Sequence, residues 1–146
     1  MVTTRILSLA ALTLIVACSR RSTSETEAAA TVPLRGTYWK LTSLGDRPVN
    51  VAESQREPHL ILQADSRQVN GSGGCNRMFG SYELNGDALT FGDIGSTKMA
   101  CPDIMDIESS FLPALQRAAK WRITGQRLDL LDSGGALVAR FDAKPK

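Results

Sequence analysis

The chain has 146 residues, of which 17 are basic and 15 acidic, so its formal net charge is +2. This length is enough for one domain of ordinary size. Both signs of charge are interspersed along the chain, so neither nucleic-acid binding nor electrostatic adhesion to a membrane is indicated.

Residues 1–17 have the pattern of a signal peptide. Arg5 precedes an apolar run over residues 6–17, and an export signal needs such a run of about 7–15 residues after a positive start. A transmembrane helix needs about 20 apolar residues, and Cys18 and the polar residues after it interrupt the run before that length. We expect residues 1–17 to be removed, which leaves 129 residues with a net charge of +1.

The end of this segment, Ile15-Val16-Ala17-Cys18, resembles the lipobox of bacterial lipoproteins. The resemblance implies that Cys18 is acylated and becomes the first residue of the mature chain, anchored in a membrane by its lipid. An aspartate directly after the lipidated cysteine would favour retention in the inner membrane. This chain has Ser19 there, which implies the outer membrane, with the protein facing the periplasm. The alternative is a plain signal peptide followed by an incidental cysteine.

Residues 18–33 are predicted to form a flexible tether between the anchor and a domain at 34–146. Residues 19–31 contain no aromatic side chain and almost nothing that could be buried.

From Leu34 onward, turn signals separate short runs of alternating polarity, which predicts a mainly β fold. We expect a compact antiparallel meander, partly barrel-like, with one helix packed against it. Asn70-Gly71 and Asn85-Gly86 are predicted type I′ turns, and the second joins hairpin arms at 82–84 and 88–91. The other predicted strands are at 37–41, 59–64, 121–124, 128–131 and 136–141.

One segment has helical periodicity. Asp103 is predicted to cap this helix, Asp106 and Glu108 lie near its positive end, and Pro113 is expected to kink or split it. Its apolar residues fall three or four apart, on one face turned toward the sheet: Ile104, Ile107, Phe111, Leu115 and Ala118.

The residues that suggest catalysis all have structural interpretations. The glycine-rich run 70–76 lacks the lysine and hydroxyl pair of a phosphate loop, so it is predicted to be a turn or bulge between strands. The single histidine, His59, is predicted to be half-exposed at the start of a strand, and one histidine excludes a multi-histidine metal site. We expect no catalytic set, no metal and no cofactor.

Cys75 and Cys101 remain once Cys18 is assigned to lipid. Cys75 could act with His59 as a thiol nucleophile, but in an exported protein two cysteines more often pair. A disulfide would contribute roughly 3–4 kcal/mol in the chain-entropy model. The alternative is two buried thiols.

Five motifs together resemble the META domain, the HslJ-like heat-shock family. They lie at 36–41, 71–77, 80–82, 96–101 and 108–115, in the family's order. The resemblance implies a compact antiparallel β-structure with one helix and no established enzymatic activity. The residues that look like the family's signature either form a shared surface or lock the turns and core: Cys75, Asn76, Arg77, Met99 and Cys101.

The leading functional hypothesis is a non-enzymatic, monomeric envelope lipoprotein that supports outer-membrane integrity under heat or antibiotic stress by contacting another envelope protein. A small-ligand-binding barrel is the first alternative, although only 5% of the residues are aromatic, which favours a filled interior. Inhibition of a secreted hydrolase through an exposed rigid loop at 72–77 is the second.

Overall fold

The computed structural model describes residues 31–145. The predicted signal peptide, the lipidated Cys18 and most of the predicted tether lie outside these residues. Within residues 31–145 a single helix, α1 (Met105–Arg117), lies between the sixth and seventh of nine strands. The strands are β1 (Tyr38–Leu44), β2 (Arg47–Pro48), β3 (His59–Leu62), β4 (Gln68–Ser72), β5 (Arg77–Asn85), β6 (Ala88–Ser96), β7 (Lys120–Thr124), β8 (Arg127–Leu131) and β9 (Leu137–Lys144).

The strands form one antiparallel sheet that closes into a ring. Their order is β2-β1-β3-β4-β5-β6-β7-β8-β9, and β1 pairs also with β9, from Tyr38 opposite Lys144 to Leu44 opposite Ala139. Between β6 and β7 the pairing is limited to Ala88 and Lys120. The predicted fold class, mainly β and antiparallel with one packed helix, is confirmed.

The inside of the ring is filled by side chains. Trp39 is fully buried, and its indole N–H donates to the carbonyl oxygen of Leu34 at 2.8 Å. The helix packs against β6, β9 and β1, and the rings of Phe111 and Phe141 lie 5.9 Å apart. Leucines from opposite sides of the ring complete the core, namely Leu41, Leu60, Leu62, Leu89, Leu128 and Leu130.

The helix has the predicted apolar face, but its ends and interior differ from the prediction. Asp103 is not the cap, since Ile104 occupies the N-cap position without a side-chain hydrogen bond. Pro113 lies inside a continuous helix and does not split it. Pro113 itself is exposed, and buried Phe111, Ala114 and Leu115 on either side hold this stretch against the sheet despite the hydrogen bond that proline removes.

Of the two predicted turns, the one at Asn85-Gly86 joins two strands as expected, whereas Asn70-Gly71 is not a turn. Neither pair forms the predicted type I′ turn. The hairpin between β5 and β6 is confirmed, but Asn85 still pairs with Ala88, and only Gly86 in the loop has a positive φ (+59°), so the turn is not type I′. Asn70-Gly71 lies inside β4, paired with β3 and β5. Gly71 is needed there because a Cβ would collide with the backbone of His59.

No helix within residues 31–145 has both the length and the apolar character that crossing a membrane requires.

A buried carboxylate links three strands on the outer face of the sheet. Asp129 of β8 lies opposite Arg122 of β7 and Arg140 of β9. Its oxygens accept hydrogen bonds at 3.0 Å from Arg122 and at 2.6 and 3.2 Å from Arg140, and its side chain is only 8% exposed. Burial alone would raise the pKa of Asp129, but the hydrogen bonds and charges of Arg140 and Arg122 outweigh it and lower that pKa below its usual value.

We predict that Asp129→Asn lowers the free energy of unfolding by about 1–3 kcal/mol at pH 7, because Arg122 and Arg140 lose a charged acceptor that is itself buried. A carboxylate whose pKa is lowered by folding stabilises the protein above its unfolded pKa of about 3.9, and this contribution is lost as the pH falls through the folded pKa. The difference between wild type and variant should therefore shrink below about pH 4. Urea unfolding between pH 7 and pH 2.5 measures this. The matched control is Asp142→Asn, which removes an exposed pairing with Arg127 at 3.8 Å; equal losses in both variants would contradict the prediction.

Candidate functional site

The connection between β4 and β5 is a tight loop that lies beneath the segment leading from β6 to α1. Gly73 N–H donates to the carbonyl of Asn76 at 2.9 Å, and the Ser72 hydroxyl bonds both Gly74 N–H and the Asn76 carbonyl, at 3.0 and 3.1 Å. Residues 72–76 are all buried. As predicted, the glycine-rich run connects two strands, although its first residues belong to β4.

A disulfide joins this loop to the segment before the helix. Cys75 and Cys101 are bonded, with their Cα atoms 5.8 Å apart and a sequence separation of 26 positions. Closing a loop of this length stabilises a fold by about 3–4 kcal/mol in the chain-entropy model. The disulfide therefore fixes residues 97–101, which form no regular secondary structure, against the sheet.

Asn76 connects the loop to the helix and to the same segment. Its backbone N–H and its Nδ2 donate to the two carboxylate oxygens of Glu108, each at 2.7 Å. Its Oδ1 accepts from the Thr97 hydroxyl at 2.8 Å and from Met99 N–H at 2.7 Å, while Nδ2 also donates to the Met99 carbonyl at 3.1 Å. The asparagine side chain thus uses its acceptor and both its donors to hold three segments together.

Two glycines make room for the helix side chains at this site. A Cβ on Gly73 would collide with the side chain of Glu108, and one on Gly74 would collide with Ile104. Gly74 also has a φ of +109°, a conformation that other residues rarely adopt. Close packing against the helix is therefore the physical reason for the glycine-rich sequence.

The sequence left open whether Asn76 forms a surface or locks the turns and core, and it placed Glu108 near the positive end of the helix. Glu108 does lie in the first turn of α1, but the structure adds its buried contact with Asn76. Asn76 is only 2% exposed and Glu108 only 4%, so both are internal connectors. The sequence did contain a signal for Glu108, since it lies four residues after Ile104 and three before Phe111, on the apolar face of the helix.

Above these buried connectors lies an exposed surface that we call the Arg77 surface, formed by Arg56, Arg77, Phe79 and Met99. Phe79 is 54% exposed and Met99 50%. Arg77 N–H donates to Thr97 at 3.2 Å, and Arg56 Nη1 to the Cys75 carbonyl at 3.3 Å. Two open grooves meet at Arg56, one of about 330 Å³ beside Met99 and one of about 300 Å³ that reaches Arg77.

His59 is half-buried at the start of β3, as predicted. Its Nδ1–H donates to the Glu57 carbonyl at 2.9 Å, and its ring stacks on the Tyr38 ring with the two ring centroids 4.3 Å apart. The Glu57 carboxylate binds Lys40 at 2.7 Å and Lys144 at 3.1 Å. Burial of Tyr38, together with the nearby charge of Glu57, raises the pKa of Tyr38 to about 12.

Residues 31–145 contain no group of three or more His, Cys, Asp or Glu that could hold a metal ion.

The family model of the META domain matches residues 32–145. The chain belongs to the META domain family. An NMR structure of a protein from Burkholderia xenovorans is similar, with 31% sequence identity and a TM-score of 0.62 over 77% of this chain and 85% of that one. A second NMR structure, 22% identical with a TM-score of 0.58 over 75% of this chain and 90% of that one, shares the fold. No curated protein matches the chain significantly.

We predict that Glu108→Gln lowers the free energy of unfolding by about 2–3 kcal/mol. Two Asn76 donors each need an acceptor oxygen, and the glutamine amide has one where the carboxylate has two. The new NH₂ group would face a donor in a buried site. Urea unfolding of the variant and of Glu83→Gln, an exposed residue of β5, measures the effect. Wild-type stability of Glu108→Gln would contradict the role assigned to this carboxylate.

Proposed function

We propose that this META-domain chain is a non-enzymatic lipoprotein of the bacterial cell envelope that supports envelope integrity under heat or antibiotic stress by contacting another envelope protein. The observation that carries the proposal is the Arg77 surface, where Phe79 and Met99 are exposed on a backbone fixed by the disulfide and by Asn76. Exposed apolar side chains on a fixed backbone favour binding, because less backbone conformational entropy is lost on association.

The arrangement of the reactive side chains favours contact over catalysis. Cys75 is in a disulfide, so its sulfur is not available as the thiol partner of His59. The His59 ring is occupied by Tyr38 and by the Glu57 carbonyl. The buried carboxylates of Glu108 and Asp129 are bonded to structural partners.

The interior and the loop argue against the other two hypotheses. Trp39, Phe111 and Phe141 are fully buried among leucines inside the ring, which leaves its centre filled by side chains. The loop at 72–77, expected to be exposed in an inhibitor, is buried from 72 to 76 and exposes only Arg77. A protease-binding loop normally protrudes, so the expectation of an exposed loop is wrong.

We predict that the protein fractionates with outer membranes and that Cys18→Ala is released to the soluble fraction or left unprocessed, because the acyl chains supply the membrane affinity. Membrane fractionation and mass spectrometry of the mature N-terminus measure this. Ser19→Ala serves as the matched control and should stay anchored. Tight retention of a correctly cleaved Cys18→Ala protein would show that the lipid is not the anchor.

We predict that deleting the gene reduces growth at high temperature or with bulky antibiotics, and that Phe79→Ser/Met99→Ser fails to restore it, because these side chains form the contact. Leu84→Ser, a change at a 38% exposed leucine elsewhere in β5, should restore growth. Growth of the complemented strains is the measurement, with immunoblots to equalise protein levels. Unchanged growth of the deletion strain in every condition would refute the proposed function.

A further inference from the structure

The Arg77 surface carries positive charge that its neighbours do not neutralise. Arg56 and Arg77 are exposed, and within residues 31–145 neither forms an ion pair. Glu57, beside Arg56 in sequence, is bound to Lys40 and Lys144. Among the residues that line the two grooves, Asp103 is the one acidic residue, and it lines the larger groove.

The cationic groups surround a groove bordered by apolar side chains. Arg56 and Arg77 both line the groove of about 300 Å³, together with Asn70 and His59. Asn70 pairs across the sheet with Phe79, which places the exposed ring at the edge of this groove. Met99 lines the larger groove, of about 330 Å³, on the other side of Arg56. Unpaired arginines occur elsewhere on the domain, but these two lie between the two most exposed large apolar side chains, Phe79 and Met99.

This composition is typical of the centre of a protein interface. Arginine, aromatic residues and methionine are enriched at interfaces, where lysine and acidic residues are depleted. A guanidinium also binds a carboxylate through two parallel hydrogen bonds, which fixes the orientation of the acidic partner. The side-chain chemistry of the surface therefore complements carboxylates placed close to an apolar side chain.

We propose that the Arg77 surface binds an acidic peptide segment of an envelope protein, with carboxylates on Arg56 and Arg77 and an apolar side chain against Phe79 or Met99. This inference rests on the proposed function, in which the chain acts through protein contacts, and it adds the chemistry of the partner. The groove has room for a few side chains of such a segment and not for a folded domain, so the partner binds as an extended strand or loop.

The test uses the full chain, purified from membranes in detergent, as the target for a phage-displayed library of random twelve-residue peptides. Enriched sequences should carry at least two Asp or Glu residues next to an aromatic or aliphatic residue. A synthetic peptide of the enriched sequence, labelled with fluorescein, should bind at least tenfold more weakly to Arg56→Glu/Arg77→Glu, since two exposed charge pairs each become repulsive. Its affinity should also fall as salt rises.

Arg47→Glu/Arg67→Glu is the matched control, because both arginines are exposed and lie elsewhere on the domain. This double variant should bind the peptide as wild type does, and thermal unfolding should show that every variant is folded. Enrichment of neutral or basic peptides, or equal binding by both double variants, would overturn the proposal. Binding to phosphatidylglycerol vesicles that is lost in Arg56→Glu/Arg77→Glu, without any acidic peptide being enriched, would assign the surface to a membrane and also overturn it.

Complementation separates this inference from the proposed function. If Arg56→Glu/Arg77→Glu restores growth while Phe79→Ser/Met99→Ser does not, the acidic partner is excluded and the protein-contact function stands. If acidic peptides bind as predicted but the deletion strain grows normally, the binding site stands and the stress function is excluded.

Discussion

The pair of hydrogen bonds between Asn76 and Glu108 is the interaction on which the organisation of one end of the domain depends. A carboxylate on the helix accepts from both the backbone and the side chain of a loop residue 32 positions earlier, and the same asparagine side chain binds Thr97 and Met99. Asn76 and Glu108 are both buried, so removal of either side chain leaves polar groups of the other without water or protein partners. The glycines at 73 and 74, the disulfide and the position of Met99 all follow from this close approach of loop and helix.

The sequence predicted the elements whose signals are local and missed those that depend on distant neighbours. The hairpin at Asn85 to Ala88 and the apolar helical face from Ile104 to Ala118 needed only short-range periodicity and turn chemistry. Gly71 was read as a turn residue because Asn-Gly favours turns, whereas it is a strand residue that lets β3 approach β4 closely. Glu108 does lie in the first turn of the helix, as predicted from its position, but a buried glutamate is rare, and its burial and its partner Asn76 could not be identified without the three-dimensional arrangement.

The groups that stabilise the domain are buried and lie apart from its exposed apolar side chains. Its interior is occupied by its own aromatic and aliphatic side chains, and the buried polar groups of Asn76, Glu108 and Asp129 bind one another or neighbouring strands. What remains for interaction with other molecules is the outside, where Phe79 and Met99 are exposed beside Arg77. Side chains at such positions can change without disturbing the core, since they rest on a backbone that is fixed from beneath.

Closure of the ring by β1 and β9 determines the order in which this chain can fold. The Thr42 hydroxyl donates to the carbonyl of Arg140 at 3.1 Å, a contact between residues 98 positions apart. Such a contact forms late, because a long loop must close before the pairing is gained. Until residues 137–144 have been synthesised, the edge of β1 stays unpaired and Phe141 is missing from the core. A nascent chain of this protein therefore remains incompletely folded until β9 is available to pair with β1.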